Sequence, residues 1–115
     1  MRVLVLSESD DCCGPMAAAF LRDYSERLEV VSAGRHPSQK VPLLVLEAMR
    51  ECLIDMSGYV PVDAASLDLS VFDKVYECLD RPCPETMEAC RELRDRIKND
   101  SFLFYRGLTR KKPLV

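Results

Sequence analysis

The chain lacks tryptophan, has a single histidine and carries only four glycines in 115 residues. So few glycines, with seven prolines, exclude a fibrous or low-complexity composition. Long apolar runs are missing too. The longest early stretch, Val3 to Leu6, falls far short of the roughly 20 residues that a spanning helix needs. It is also too short for a signal-peptide core, and Ser-Glu-Ser-Asp-Asp follows it. An excess of positive charge is absent: the net charge is −3, which argues against a nucleic-acid binder. The expectation is a cytoplasmic protein of one domain, residues 1–115, with a loose tail from about 106 and no membrane or nucleic-acid partner.

What the chain does have is cysteine. Six are present: Cys12, Cys13, Cys52, Cys78, Cys83 and Cys90. In a reducing compartment such residues are buried, metal-binding or redox-active more often than they are permanent crosslinks.

The apolar pattern predicts an α/β order. Val3-Leu-Val-Leu6 reads as a strand buried on both faces. An acidic loop follows, and Gly14-Pro15 opens a helix to about Glu26. Leu28 to Ser32 reads as a second strand, ended by Ala33-Gly34. Pro42 opens a second helix, in which Val45, Ala48, Met49 and Cys52 share one face. A short helix is expected around Ala64 to Leu67, and Phe72 to Cys78 reads as a third strand. A helix from Pro84 stops at Asn99-Asp100, and Phe102 to Tyr105 reads as a short edge strand. These elements predict a three-layer α/β domain, a small parallel sheet flanked by helices with right-handed crossovers.

In open α/β sheets ligands sit beyond the carboxyl ends of the strands. Two loops are expected there. One is Ser7, Glu8, Ser9, Asp10, Asp11, Cys12, Cys13 and Gly14. The other is Leu79 to Cys83, with Cys78 at the strand end before it. Four of the six cysteines thus map to one edge of the sheet.

The segment Val3-Leu-Val-Leu-Ser-Glu-Ser-Asp-Asp-Cys-Cys-Gly-Pro-Met-Ala17 resembles the first strand, anion loop and first helix of the low-molecular-weight tyrosine phosphatases and the thioredoxin-coupled arsenate reductases. Val31-Ser-Ala-Gly34, the stretch from Pro42 to Ser57, and Phe72-Asp-Lys-Val-Tyr-Glu-Cys78 are similar to further segments of that family, in order. The resemblance implies the phosphotyrosine phosphatase I fold. It also implies a loop of the form Cys-x5-Arg-Ser, whose thiolate attacks phosphorus or arsenic while the Arg grips two oxygens. Here Ser7 stands at the nucleophile position, Cys13 at the Arg position and Gly14 at the Ser position, so the anion loop is degenerate. A serine hydroxyl is a poor nucleophile without a base, and Glu8, Asp10 and Asp11 repel a dianion. The family's Asp-Pro general acid has no counterpart. Negligible phosphatase activity is therefore expected.

The reductases of the family carry two further cysteines after the third strand and pass a disulfide outward to thioredoxin. Cys78-Leu-Asp-Arg-Pro-Cys83 resembles that segment. The resemblance implies thiol–disulfide chemistry at Cys78 and Cys83, with Cys13 at a helix N-terminus as a third thiol, and a thioredoxin-like reductant. No cofactor is expected. For Cys12, a bystander in a decayed loop is the favoured reading. Cys52 and Cys90 lie on apolar helix faces and read as core. Two alternatives stay open. One is a non-catalytic binding or regulatory protein. The other is a soft metal site made by Cys12, Cys13, Cys78 and Cys83, although adjacent cysteines chelate awkwardly and the spacing matches no standard pattern. His36 lies in a polar loop and reads as solvated, as does the basic stretch of Arg106, Arg110, Lys111 and Lys112.

Overall fold

A computed structural model describes residues 1–78 and 83–109. Arg2–Ser7 forms strand β1, Glu29–Gly34 forms β2 and Lys74–Glu77 forms β3. All pair in parallel, in the order β2-β1-β3. The β-branched, apolar run Val3-Leu4-Val5 occupies the central strand because all three side chains are fully buried. A strand covered on both faces needs such a run. The open sheet is flanked by helices α1 (Cys13–Tyr24), α2 (Leu43–Arg50) and α3 (Met87–Thr109). Short 3-10 turns at Ala64–Ser66 and Leu69–Val71 are capped by the Asp63 and Asp68 carboxylates.

Helix α1 is the core's main supplier: Cys13 through Leu21 are all buried. It begins two residues earlier than Pro15 suggests. Pro15 sits in its first turn, where the N–H groups have no partner within the helix. Strand β2 runs through Ala33 and Gly34 instead of ending before them. Gly34 N donates to Val62 O at 2.8 Å, and its backbone lies against the loop after β1. A Cβ there would come within 2.9 Å of Glu8 O and 3.0 Å of Asp10 N.

The largest departure lies at the C-terminal end. The expected edge strand Phe102 to Tyr105 is helical, and α3 continues through position 106 to Thr109. Aromatic packing explains this. Phe102 and Tyr105, three apart and so neighbours on a helix face, both stack on Tyr24 of α1, with ring centroids at 5.5 and 5.6 Å. Phe104 meets Tyr76 of β3 edge-on at 4.8 Å. A strand would send neighbouring side chains to opposite faces. The helix also starts at Met87, later than Pro84, and β3 is shorter than the Phe72–Cys78 run. Residues 79–82 and 110–115, with Arg81, Arg110, Lys111 and Lys112, lie outside the described residues.

Candidate functional site

The loop between β1 and α1 is a closed turn bound on several sides. Its backbone continues the β1–β2 ladder: Arg35 N donates to Ser7 O at 3.0 Å, His36 N to Glu8 O at 2.7 Å and Ser38 N to Ser9 O at 3.0 Å. Asp10 turns the chain at φ 51°, a left-handed conformation that Asp tolerates better than most residues. Ser7, buried at 1% exposure, points its Oγ into the turn, where it accepts from Asp10 N at 3.1 Å. Gly14 leaves room for it, since a Cβ there would meet Ser7 Oγ at 2.6 Å.

The Asp10 side chain lies inside the protein, with no exposure. Its Oδ2 accepts from Val62 N at 2.8 Å and from the Tyr59 hydroxyl. Tyr59 Oη also lies 2.5 Å from Ser32 Oγ. Oδ1 is buried with no partner. Burial pushes the Asp10 carboxyl above its ordinary range, against the pull of Tyr59 and Val62, and it pushes the Tyr59 phenol up as well. Asp11 is held differently: Ser9 Oγ donates to Oδ1 at 2.8 Å and Ser38 Oγ to Oδ2 at 2.5 Å. Glu8 Oε1 lies 2.5 Å from His36 Nδ1 at the exposed rim, so the lone histidine has a carboxylate partner.

The cysteines gather as their loops do. Cys12 and Cys13 follow β1, and Cys78 continues the β3 ladder through its N–H to Leu6 O at 2.9 Å. The thiol placed against Cys83 is that of Cys12, at 2.8 Å across 71 residues of sequence. Disulfide sulfurs are ~2.05 Å apart, so the pair stands within about an ångström of bonding. The two thiols are unlike. Cys12 is 5% exposed and Cys83 is half-buried. The contact with Cys12 pulls the Cys83 thiol down, while that contact and burial push Cys12 up. Cys83 therefore ionises first. Cys12, read from sequence as a bystander, is half of this pair. Cys13 is buried as the first residue of α1.

Cys90 is fully buried beside α2, its Sγ 3.6 Å from Leu44 O. Cys52 is half-buried in the turn that follows α2, since the helix ends at Arg50. Among the described residues, no group of three or more His, Cys, Asp or Glu is placed to hold a metal ion. Also among them, no helix is long and apolar enough to cross a membrane. Sequence patterning gave no signal for Tyr59, Ser32 or Ser38, which hold the loop from distant segments.

No family model and no curated protein sequence matches the chain. Solved structures do. An arsenate reductase in the phosphate-binding state superposes with a TM-score of 0.84, at 18% identity, over 94% of this chain and 98% of the other. The chain has the fold of the arsenate reductases and low-molecular-weight tyrosine phosphatases. A low-molecular-weight protein tyrosine phosphatase from T. tengcongensis gives 0.78 at 18% identity, over 91% and 99% of the two chains. The YwlE arginine phosphatase, as a C7S mutant with a phosphorylated active-site serine, gives 0.83 at 18% identity, over 97% and 98%. In this chain the Ser7–Gly14 segment leads from β1 into α1.

Proposed function

We propose that the protein is a divergent relative of the arsenate reductases and low-molecular-weight tyrosine phosphatases that carries out thiol–disulfide exchange through Cys83 and Cys12 and hydrolyses no phosphate esters. The observation that carries this reading is the 2.8 Å approach of the two sulfurs. Cys83, more accessible and lower in pKa, is the attacking thiol, and Cys12 is the resolving one.

The exchange balances without an outside electron source. The Cys83 thiolate attacks one sulfur of a substrate disulfide, and the other sulfur leaves as a thiolate that takes up a proton. Cys12 loses its proton and attacks Cys83 Sγ, which releases the second substrate thiol. One protein dithiol and one substrate disulfide become one protein disulfide and two substrate thiols. A dithiol protein of the thioredoxin class reverses the change and returns the pair to the reduced state in the cytoplasm. Cys78 and Cys13 line the same edge of the sheet as further thiols of the site.

Loss of phosphatase chemistry is supported by the loop. Ser7 Oγ is engaged inside the turn, Cys13 stands where the family's Arg would be, and the Asp10 carboxyl lies behind the loop. Peptide mapping after mild oxidation with diamide tests the reading. The expected product is a Cys12–Cys83 disulfide, absent in Cys83→Ser. Oxidation that leaves both residues as free thiols refutes it. Turnover of an aryl phosphate that disappears in Ser7→Ala, or phosphate retained on Ser7 by mass spectrometry, refutes the second half of the proposal.

A further inference from the structure

On the described loop between β1 and α1 the charge runs opposite to what an oxyanion site needs. Between Ser7 and Gly14 the chain carries Glu8, Asp10 and Asp11 and no basic residue. Among the described residues no lysine or arginine pairs with any of the three, and Glu8 has His36 as its partner. Arg35, which follows β2 beside this loop, is engaged by Glu77 at 3.2 Å. Asp11 adjoins Cys12 in the chain, and its two oxygens are fixed by serine hydroxyls, which hold the charge in place without neutralising it. Its field reaches the attacking sulfur, opposing ionisation of Cys83.

The buried carboxyl supplies a second, independent sign. Asp10 Oδ1 has no exposure and no partner. It lies 3.5 Å from the Cβ position of Gly14, on the inner side of the loop. An orphaned buried acceptor calls for a donor such as an N–H or water. Loop and rim together offer acceptors and negative charge.

Resting on the exchange reading above, we infer that the Cys12–Cys83 site takes a peptide or protein disulfide flanked by lysine or arginine, and turns away anionic disulfides and free oxyanions. The positive flanks meet Asp11 and Glu8 while the disulfide sulfur faces Cys83. Like charge at the same place keeps out glutathione disulfide. The site thereby draws its oxidising equivalents from basic protein surfaces and is insulated from the glutathione pool.

The test compares three small disulfides on the reduced full-length protein: cystamine (cationic), 2-hydroxyethyl disulfide (neutral) and glutathione disulfide (anionic). Loss of the free Cys83 thiol, as mixed disulfide or as the Cys12–Cys83 disulfide that follows it, is tracked by mass spectrometry at low and high salt, with Cys83→Ser as the blank. Rates should fall in that order. Cystamine should outrun glutathione disulfide by about tenfold or more at low salt, since each unit charge about 6 Å away in a water-like medium changes a rate by roughly threefold. The ratio should shrink as salt rises. Any thiolate prefers a cationic partner, so the loop's share is read from Asp11→Asn and Glu8→Gln, each expected to compress the ratio by about threefold. Glu8 lies at the rim with 46% of its side chain exposed, so its variant leaves the core untouched. Ratios unchanged in both variants overturn the charge selection and leave the exchange reading standing. A protein that exchanges with none of the three overturns the exchange reading itself.

Discussion

Replacing Asp10 with Asn should stabilise the protein at neutral pH and leave it almost unchanged in acid. The side chain is fully buried. One oxygen receives two hydrogen bonds and the other receives none. An ionised carboxylate with a bare buried oxygen carries a desolvation cost of about 1–3 kcal/mol or more. Asn keeps the shape and the acceptor that serves Val62 and Tyr59, and it removes the charge. The carboxyl's pKa in the folded state lies above its ordinary value of 3.8. Between these two values the native state binds more protons than the unfolded state, so stability falls as pH rises through that window and stays low above it. At low pH the acid is protonated and nearly matches the amide. We expect Asp10→Asn to gain about 1–2 kcal/mol at pH 8, or very roughly 4–8 °C in Tm for a domain of this size. The gain should vanish toward pH 4. Glu51, held down at about 2 by Arg91 and Arg94, loses its contribution only in acid, and it does so equally in both proteins, so it cancels from the difference. Urea titrations with a reductant present, followed by far-UV circular dichroism because the chain has no tryptophan, would give the stability at each pH. A variant that is less stable at pH 8, with the deficit widening as pH rises, would show that the buried carboxylate is favourable and would refute the reasoning.

Leu53→Gly should raise stability by about 0.5–1 kcal/mol in thermal denaturation. Leu53 sits at φ 62° just past α2 and is 95% exposed. Left-handed strain of about 1–2 kcal/mol then outweighs the extra chain entropy of glycine, about 0.5–1 kcal/mol. Gly34→Ala should cost about 1–3 kcal/mol and slow Cys12–Cys83 disulfide formation, because the new Cβ presses on loop backbone at 2.9–3.0 Å; equilibrium unfolding and thiol titration would check both. Cys90→Ala should cost about 1 kcal/mol of packing yet leave diamide oxidation at Cys12 and Cys83 intact. Loss of that disulfide in the variant would make Cys90 part of the exchange.

The α/β order and the parallel sheet were readable because their signals are local. Val3-Leu-Val-Leu6 announces a doubly covered strand, and the α2 face repeats at helical spacing. The end of α3 was not readable in the same way. Phe102-Leu-Phe-Tyr105 has the composition of a strand, and Asn99-Asp100 looks like a stop. The aromatics find Tyr24 and Tyr76, residues that no window around position 102 contains. Tertiary packing overrides local propensity there. The limits of β2 fail to show for a related reason. Gly34 reads as a terminator from its type alone, yet it belongs to the strand because the loop after β1 leaves no space for a side chain.

The site divides along the same line. The grouping of Cys12 and Cys78 rests on elements the sequence announces, since they follow β1 and β3, two strands that pair directly. Which sulfur faces which is a matter of side-chain direction over 71 residues. The resemblance to the reductases' cysteine segment implied Cys78 as the partner of Cys83 and left Cys12 as a bystander, whereas the fold sets Cys12 beside Cys83. Asp10 poses the same difficulty in another form. In sequence it is one of three acids, with Glu8 and Asp11, that read alike as repelling a dianion from the loop. In the fold its left-handed backbone turns the carboxyl inward to Tyr59 and Val62, and Asp11, one residue later, stays with Ser9 and Ser38. Two adjacent carboxylates thus serve opposite ends: one ties the loop to the core at a cost in stability, and the other keeps a charge beside the thiols. A loop that had merely decayed would have no reason to hold both so fully, and the direct measure of that claim is whether Asp11→Asn changes disulfide selectivity while Asp10→Asn changes stability.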